Sequence, residues 1–327
     1  MLLAGDIGGT KTDLAIFPTA GDLVPVAQAT FRSANYASLE TIVQEFLSGT
    51  EIAVDKAVFG VAGPVAQGKS QVTNLPWHIS EDRLRAVLNG PKVKLLNDLA
   101  AIAYAVPYLT HQDLEPLNRE QMDTDLGQNI AVVAPGTGLG QATLVFLNET
   151  YHVIASEGGH TDCAPTTLFE IELLKYLLGK YNHVSYERVC SGGLGIPNIY
   201  TYLKENNYAL ESPQIAAALQ SADDPTPVII QAALTENCEL CSQTLNTFVA
   251  ILGSEAGNLA LTVMATGGVY LGGGIPPRIL PKLKDGTFMA AFVKKGRFAD
   301  ILGRIPVYVI VAKQPALMGA VQYGLRF

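Results

Sequence analysis

Two short turns built from glycine and threonine, Gly8-Gly9-Thr10 and Gly136-Thr137-Gly138, each lie between two apolar runs, in LLAGDIGGTKTDLAIF and NIAVVAPGTGLGQATLVFL. Glycine has no Cβ, so the amides of such a turn can close on oxygen atoms, and successive N–H groups form a nest for an anion. Glycines are also ordinary in a tight hairpin, so either turn alone is weak. Their recurrence about 130 residues apart points to two related halves facing one anionic ligand. Asp6, beside the first turn, is a poor partner for an anion but suits Mg2+ or its water shell; the alternative is a turn carboxylate bonded to its own backbone. Lys11 and Thr12 bring the first turn near the pattern GxxxxGK[ST], but Thr10 stands where that pattern needs glycine. The run after Thr12 reads as a strand closed by Pro18, and the pattern needs a helix there, so it is excluded.

Other groups could do chemistry further along. In VKLLNDLAAIAYAV, Asn97 and Asp98 stand where an apolar strand gives way to a helix, the strand end at which open α/β sheets bind ligands. One of the two is expected to cap the helix, which leaves the other for a ligand. SEGGHTDCAP gathers Glu157, His160 and Asp162 around a Gly-Gly turn, and YERVCSGG adds Glu187. The spacing is not the helical HExxH of a zinc site. A cluster rich in carboxylates instead suits a polyhydroxylated ligand, whose hydroxyl protons need acceptors. The CxxC of Cys238 and Cys241 falls at helical spacing with no second pair to complete a zinc tetrad, so helix packing is expected there.

The elements that must position these groups alternate. NYASLETIVQEFLSG has Leu39, Ile42, Val43 and Phe46 at helical spacing, with Gly49 as its stop. DKAVFGVAGPV and PKVKLL read as buried strands, NDLAAIAYAV as a helix, and PTTLFEIELLKYLLGK as a helix with a Thr167–Glu170 capping box. From Val228 to Met264 the pattern predicts two helices broken near Gly253 or Gly257. TGGVYLGGGIPP is a short strand ending in glycines, IPVYVIVA a strand and PALMGAVQYGLRF a closing helix. The result is an α/β chain of two layered halves.

Composition sets the outer limits. At 327 residues the chain is long enough for two domains. A formal charge of −8 argues against nucleic acid or an anionic membrane as partner. The four cysteines are too few and too unevenly placed for a secreted disulfide framework and read as reduced thiols of a cytoplasmic protein. LLAGD follows Met1 at once, so no signal peptide is expected, and no apolar run reaches the ~20 residues of a membrane span.

Taken in order, GDIGGTKT, LLNDLAA, PGTGLGQATL, GVYLGGGIPPR and PALMGA resemble the conserved blocks of the superfamily that holds sugar kinases, actin and heat-shock chaperone ATPases. More narrowly, TNLPW, LNDLAA, SEGGHTDCAP, YERVCSGGLG and GGVYLGGGIPPRIL are similar to the bacterial ATP-dependent glucokinase family over nearly the whole chain. The resemblance implies a duplicated ribonuclease H-like (actin-like ATPase) fold, with two α/β domains flanking a cleft. The small domain is expected over residues 1–108 plus 305–327 and the large one over 109–304. It implies transfer from ATP, with Mg2+, to the 6-hydroxyl of glucose, in a cytoplasmic homodimer. By the same resemblance Asp98 is the catalytic base and Asn74, Asn97, Asp98, Glu157, His160 and Glu187 hold the sugar. Asp6, Gly8, Gly9, Thr10, Lys11, Gly136, Thr137, Gly138, Gly267, Gly268, Gly272 and Gly273 serve the nucleotide and its metal, Asp6 through water. Lys11 departs from the asparagine that many glucokinases carry after GGT, and Cys163 from an apolar residue. ROK sugar kinases carry a cysteine-rich zinc motif near their sugar histidine, whereas only Cys163 lies near His160, so the chain is placed outside that group. The first hairpin begins at residue 2, which leaves no room for the DNA-binding module of ROK repressors. A kinase for another hexose or an amino sugar, polyphosphate as donor, and an actin-like nucleotide switch stay open. A switch has no use for the sugar cluster.

Overall fold

The computed structural model describes residues 1–21, 23–50, 52–72, 75–118, 127–235 and 238–327. They fall into two compact units: Met1–Thr110, Val153–Ala155 and Ala312–Phe327 form unit 1, and His111–His152 and Ser156–Val311 form unit 2. Among the described residues no helix is long and apolar enough to cross a membrane.

Unit 1 is built on strands β1 (Leu2–Ile7), β2 (Lys11–Phe17), β3 (Ala27–Arg32) and β4 (Lys56–Val61). The short strands β5 (Val65–Ala66), β6 (Lys69–Gln71) and β7 (His78–Ser80) form a separate small sheet, and β8 (Lys92–Asn97) returns to the main one. The main order is β3-β2-β1-β4-β8, with β1, β2 and β3 antiparallel and β4 and β8 parallel to β1. Both faces of the sheet are covered at its centre, which is why β1, β2 and β4 read as nearly continuous buried runs while the edge strand β3 alternates. Leu3, Ile7, Leu14, Ile16 and Phe59 pack with Ile42 and Val43 of the helix Leu39–Ser48 on one face. Leu2, Ala4, Phe17 and Val58 pack on the other face with Ala101 of the helix Asp98–Ala105 and with Ala316, Leu317 and Ala320 of the helix Pro315–Arg326. A Cβ on Gly319 would fall 1.6 Å from the Ala101 oxygen, so only glycine lets these two helices approach so closely.

Unit 2 repeats the plan. Its strands are β9 (Leu114–Pro116), β10 (Ile130–Pro135), β11 (Leu139–Leu147), β12 (Thr150–Ser156), β13 (Val269–Leu271) and β14 (Val307–Ile310). The order is β12-β11-β10-β13-β14-β9, with β10 in the place that β1 takes in unit 1 and β9 added antiparallel at the edge. The same order of three antiparallel strands followed by two parallel ones thus occurs twice. One face packs against Leu173 and Leu177 of the helix Leu168–Leu178, Ile196 and Ile199 of Gly195–Glu205, and Phe248 and Leu252 of Glu239–Val263. The Thr167–Glu170 capping box is present in modified form. Thr167 Oγ1 accepts from Glu170 N at 3.2 Å, and the Glu170 carboxylate accepts from Thr166 N rather than from Thr167 N.

The break expected at Gly253 or Gly257 does not occur. The helix runs from Glu239 to Val263 through both glycines, and the preceding helix, Pro225–Thr235, ends before it begins. A Cβ on Gly253 would meet the Phe288 oxygen at 2.4 Å, and one on Gly257 the Phe292 oxygen at 2.5 Å. These glycines are the groove into which the helix Thr287–Val293 settles, and they do not end the long helix. Cys238 and Cys241 sit at its start, where Cys238 Sγ accepts from Cys241 N at 3.3 Å as the N-cap.

Candidate active site

Each unit holds its own part of the predicted site residues. In unit 1 the turn between β1 and β2 is closed by Gly8 N donating to Lys11 O at 2.9 Å. Ser33 supports it from beneath, its Oγ donating to Gly8 O at 2.8 Å and its N to Thr10 O at 3.1 Å. Asp6 lies opposite Asp13 across the hairpin. Asp13 is buried, yet hydrogen bonds from Lys11 Nζ (2.7 Å) and Thr30 Oγ1 (2.5 Å) outweigh burial and hold its carboxyl below the usual range. Lys11 is therefore tied to Asp13. Asp6 has the opposite balance. Burial first, then the charges of Asp98 and Asp13, push its carboxyl up to about 6 against the opposing pull of Lys11.

The strand end at β8 supplies Asn97 and Asp98. Asn97 is the N-cap: its Oδ1 accepts from Leu99 N at 3.0 Å and Ala100 N at 3.3 Å, and its Nδ2 donates to Gly63 O at 3.1 Å. The capping role thus falls to Asn97. Asp98 is the first helical residue, its Oδ1 accepting from Leu99 N at 2.9 Å, and its charge is felt at Asp6. Asp6 and Asp98 are hard oxygen donors within electrostatic reach of one another, a chemistry that suits a divalent cation held mostly through water. Asn74 lies outside the described residues.

In unit 2 the turn after β10 is closed by Gly136 N donating to Gly138 O at 2.9 Å. Two further glycines, in the SGG that follows Glu187, dock on it: Gly192 N donates to Gly136 O at 2.8 Å and Gly193 N to Thr137 O at 3.0 Å. The cluster of Glu157, His160 and Glu187 is adjacent. Residues 161–163 run antiparallel to 184–186, with Tyr186 N on Thr161 O at 3.1 Å and Cys163 N on Val184 O at 3.0 Å. This short ladder sets His160 beside Glu187, Nδ1 to Oε2 at 3.5 Å, while Nε2 lies 3.9 Å from Glu157 Oε2. Asp162 turns away to His183, 2.8 Å off. Gly158 and Gly159 are required by close approach, since a Cβ on the second would fall 1.9 Å from the Leu139 oxygen. A Cβ on Gly138 would lie 2.8 Å from Glu187 Oε1, so this turn and the carboxylate cluster are neighbours.

The four glycines near β13 are not brought together. Gly272 N donates to Val133 O at 2.9 Å, and a Cβ on Gly273 would meet Pro135 O at 2.5 Å, so these two stand beside the turn at Gly136. Gly267 donates to Asn129 O at 2.9 Å, and Gly268 accepts from Ala131 N at 3.0 Å, at the start of β13 and hence at the other end of the strand. Ligands gather at the carboxyl ends of parallel strands, where Gly272 and Gly273 are. Sequence reasoning missed Ser33, Gln141, Glu255 and the docking of Gly192 and Gly193. A lone carboxylate in the apolar run ILGSEAGNLALTV is the signal that could have singled out Glu255.

Fold and site together define a sugar kinase of the actin-like ATPase class. The family model for glucokinase matches residues 3–326. A glucokinase of Nostoc punctiforme is 41% identical over 100% of this chain and 99% of its own. The crystal structure of a glucokinase from an Antarctic psychrotroph has a TM-score of 0.85 at 35% identity, covering 100% of this chain and 99% of that one. A ROK family glucokinase from Streptomyces griseus, solved with glucose and AMPPNP, has a TM-score of 0.64 at 17% identity over 100% of this chain and 99% of that one, a likeness of fold. The chain belongs to the glucokinase family, whose reaction is ATP-dependent phosphorylation of glucose.

Proposed function

We propose that Asp98 is the general base that takes the proton of the glucose 6-hydroxyl as that oxygen attacks the γ-phosphorus of ATP. A new P–O bond forms to the sugar oxygen, the bond to the β,γ-bridging oxygen breaks, and ADP leaves. An aspartate is ionised at neutral pH without special tuning, and phosphoryl transfer asks mainly for positioning and charge stabilisation. Glu157, His160 and Glu187 accept and donate to the sugar hydroxyls, with Asn74 and, through the second N–H of its Nδ2 that capping does not use, Asn97 as further sugar contacts. The amides around Gly8, Gly9 and Thr10 and around Gly136, Thr137 and Gly138 hold phosphate oxygens, with Lys11 beside the first turn and Gly272 and Gly273 bordering the second. Asp6, with Asp98, would hold Mg2+ through water. When bound, the cation neutralises charge on the β- and γ-phosphates. A cytoplasmic homodimer completes the reading on the strength of the family resemblance; light scattering tests the assembly.

The observation that carries this reading is the adjacency within unit 2: an anion-binding turn whose Gly138 would touch Glu187 if it bore a side chain. A phosphate nest beside a carboxylate–imidazole cluster suits a polyol that is to receive a phosphoryl group. A coupled kinase assay over glucose, mannose, fructose and glucosamine, each with ATP and with polyphosphate, tests it. Glucose with ATP should give the highest kcat/KM; a higher value for another pair would replace it.

A further inference from the structure

Glu255 lies in the long helix Glu239–Val263 and is 5% exposed. A carboxylate so deeply placed persists only with hydrogen-bond partners. Its Oε1 accepts from Gln141 Nε2 at 2.7 Å and its Oε2 from Asn258 Nδ2 at 3.0 Å. Asn258 Nδ2 donates to the Tyr186 hydroxyl at 2.9 Å as well. Lys295 Nζ closes the network, donating to Asn258 Oδ1 at 2.6 Å and Ser254 Oγ at 3.1 Å. Burial pushes the Glu255 carboxyl up, while these hydrogen bonds and the Lys295 charge oppose it.

Gln141, which this carboxylate holds directly, and Tyr186, which it reaches through Asn258, stand directly behind the cluster of Glu157, His160 and Glu187. Gln141 Oε1 would be 2.2 Å from a Cβ on Gly158, so its amide is the floor on which the turn Gly158–His160 rests. Glu157 and His160 flank or belong to that turn. Tyr186 immediately precedes Glu187, and Glu187 faces His160 at 3.5 Å. One buried carboxylate therefore holds the supports of both arms.

We propose that Glu255, acting through Gln141 and, by way of Asn258, through Tyr186, is a positioning residue that fixes the spacing of His160 and Glu187 for the sugar. The inference rests on the reading of those two residues as sugar ligands. Misplacement by about 1 Å of groups that must meet a ligand together can cost on the order of 100-fold, so loss of this support should show in glucose recognition.

Glu255→Gln and Tyr186→Phe are compared with the parent by glucose titration, by KM for glucose and for ATP, and by thermal unfolding, with His160→Ala and Glu187→Gln as references. Glu255→Gln should raise the glucose Kd and KM at least about tenfold with the ATP KM held within about twofold, and Tyr186→Phe should act in the same direction. A fall in Tm with both KM values unchanged would make the network merely structural and overturn the proposal. Should Glu255→Gln fail to fold, Tyr186→Phe decides alone, since it deletes one hydroxyl: an unchanged glucose KM overturns the proposal. If the reference variants lose glucose and the two network variants do not, positioning fails while the sugar reading stands. If none of the four loses glucose, the sugar reading falls and this inference with it.

Discussion

At Asp6 the fold holds a carboxylate where ionisation is costly, because it is buried and has Asp98 and Asp13 for neighbours. Its carboxyl rises from 3.8 to about 6, so between these values the folded chain binds a proton that the unfolded chain has released. Rising pH through that window lowers the stability of the parent relative to Asp6→Asn, and the difference levels off above about pH 6. Denaturant unfolding of both proteins without metal or nucleotide, at several pH values between about 4 and 7, should show this widening gap; a gap independent of pH would mean that Asp6 is not suppressed. The second anion turn offers a separate test. A Cβ on Gly136 would meet nothing within 4 Å, whereas one on Gly138 would strike Glu187 and disturb the sugar side too. Gly136→Val should therefore leave glucose binding intact and weaken ATP roughly 10- to 100-fold, because the added side chain would stand in the way of a phosphate oxygen approaching a neighbouring amide of the turn, at the cost of about one hydrogen bond to a charged group. Unchanged ATP affinity by titration would reduce the turn to a structural hairpin.

Helix Glu239–Val263 sets two rules against each other. Replacing a mid-helix glycine by alanine gains up to about 1 kcal/mol from propensity. At Gly253 the added Cβ would fall 2.4 Å from the Phe288 oxygen, and overpacking of that kind costs about 1–3 kcal/mol. Because the obstacle is backbone, which yields less readily than a side chain, overlap should win: Gly253→Ala should lower the denaturation midpoint, and a raised midpoint would contradict the packing of helix Thr287–Val293. This is also where the sequence was hardest to read. Periodicity and capping chemistry are local, so the helix stop at Gly49, the cap at Thr167 and the strand–turn–strand at Gly8 were legible. The purpose of Gly253 is set by a segment more than 30 residues further on, and nothing local distinguishes such a glycine from a helix breaker. Glu255 is hard to single out for the same reason, since its partner Gln141, and Tyr186 beyond Asn258, are distant in sequence. The glycines around β13 looked like one block because the strand between them is only three residues long, yet they occupy its two ends.

At the scale of the whole molecule, the repeated strand order accounts for the two Gly/Thr turns: each follows the central strand of its sheet, β1 or β10, and leads into its antiparallel neighbour. That duplication was legible from the turns, because both carry the same apolar flanks. The capping question at Asn97 and Asp98 was not, since either residue can cap, and only the bonds from Leu99 N and Ala100 N to Asn97 Oδ1 assign the role. With the cap assigned, Asp98 can be tested as the base without removing the helix start. Asp98→Asn is nearly isosteric and keeps hydrogen-bonding capacity. Glucose affinity by titration, measured beside kcat and KM in the coupled assay, is the most direct test of the account. The variant should fold, bind glucose within about tenfold of the parent and lose kcat by ~100-fold or more, the usual contribution of a positioned base. A kcat close to that of the parent would remove Asp98 as the base and contradict the account at its centre.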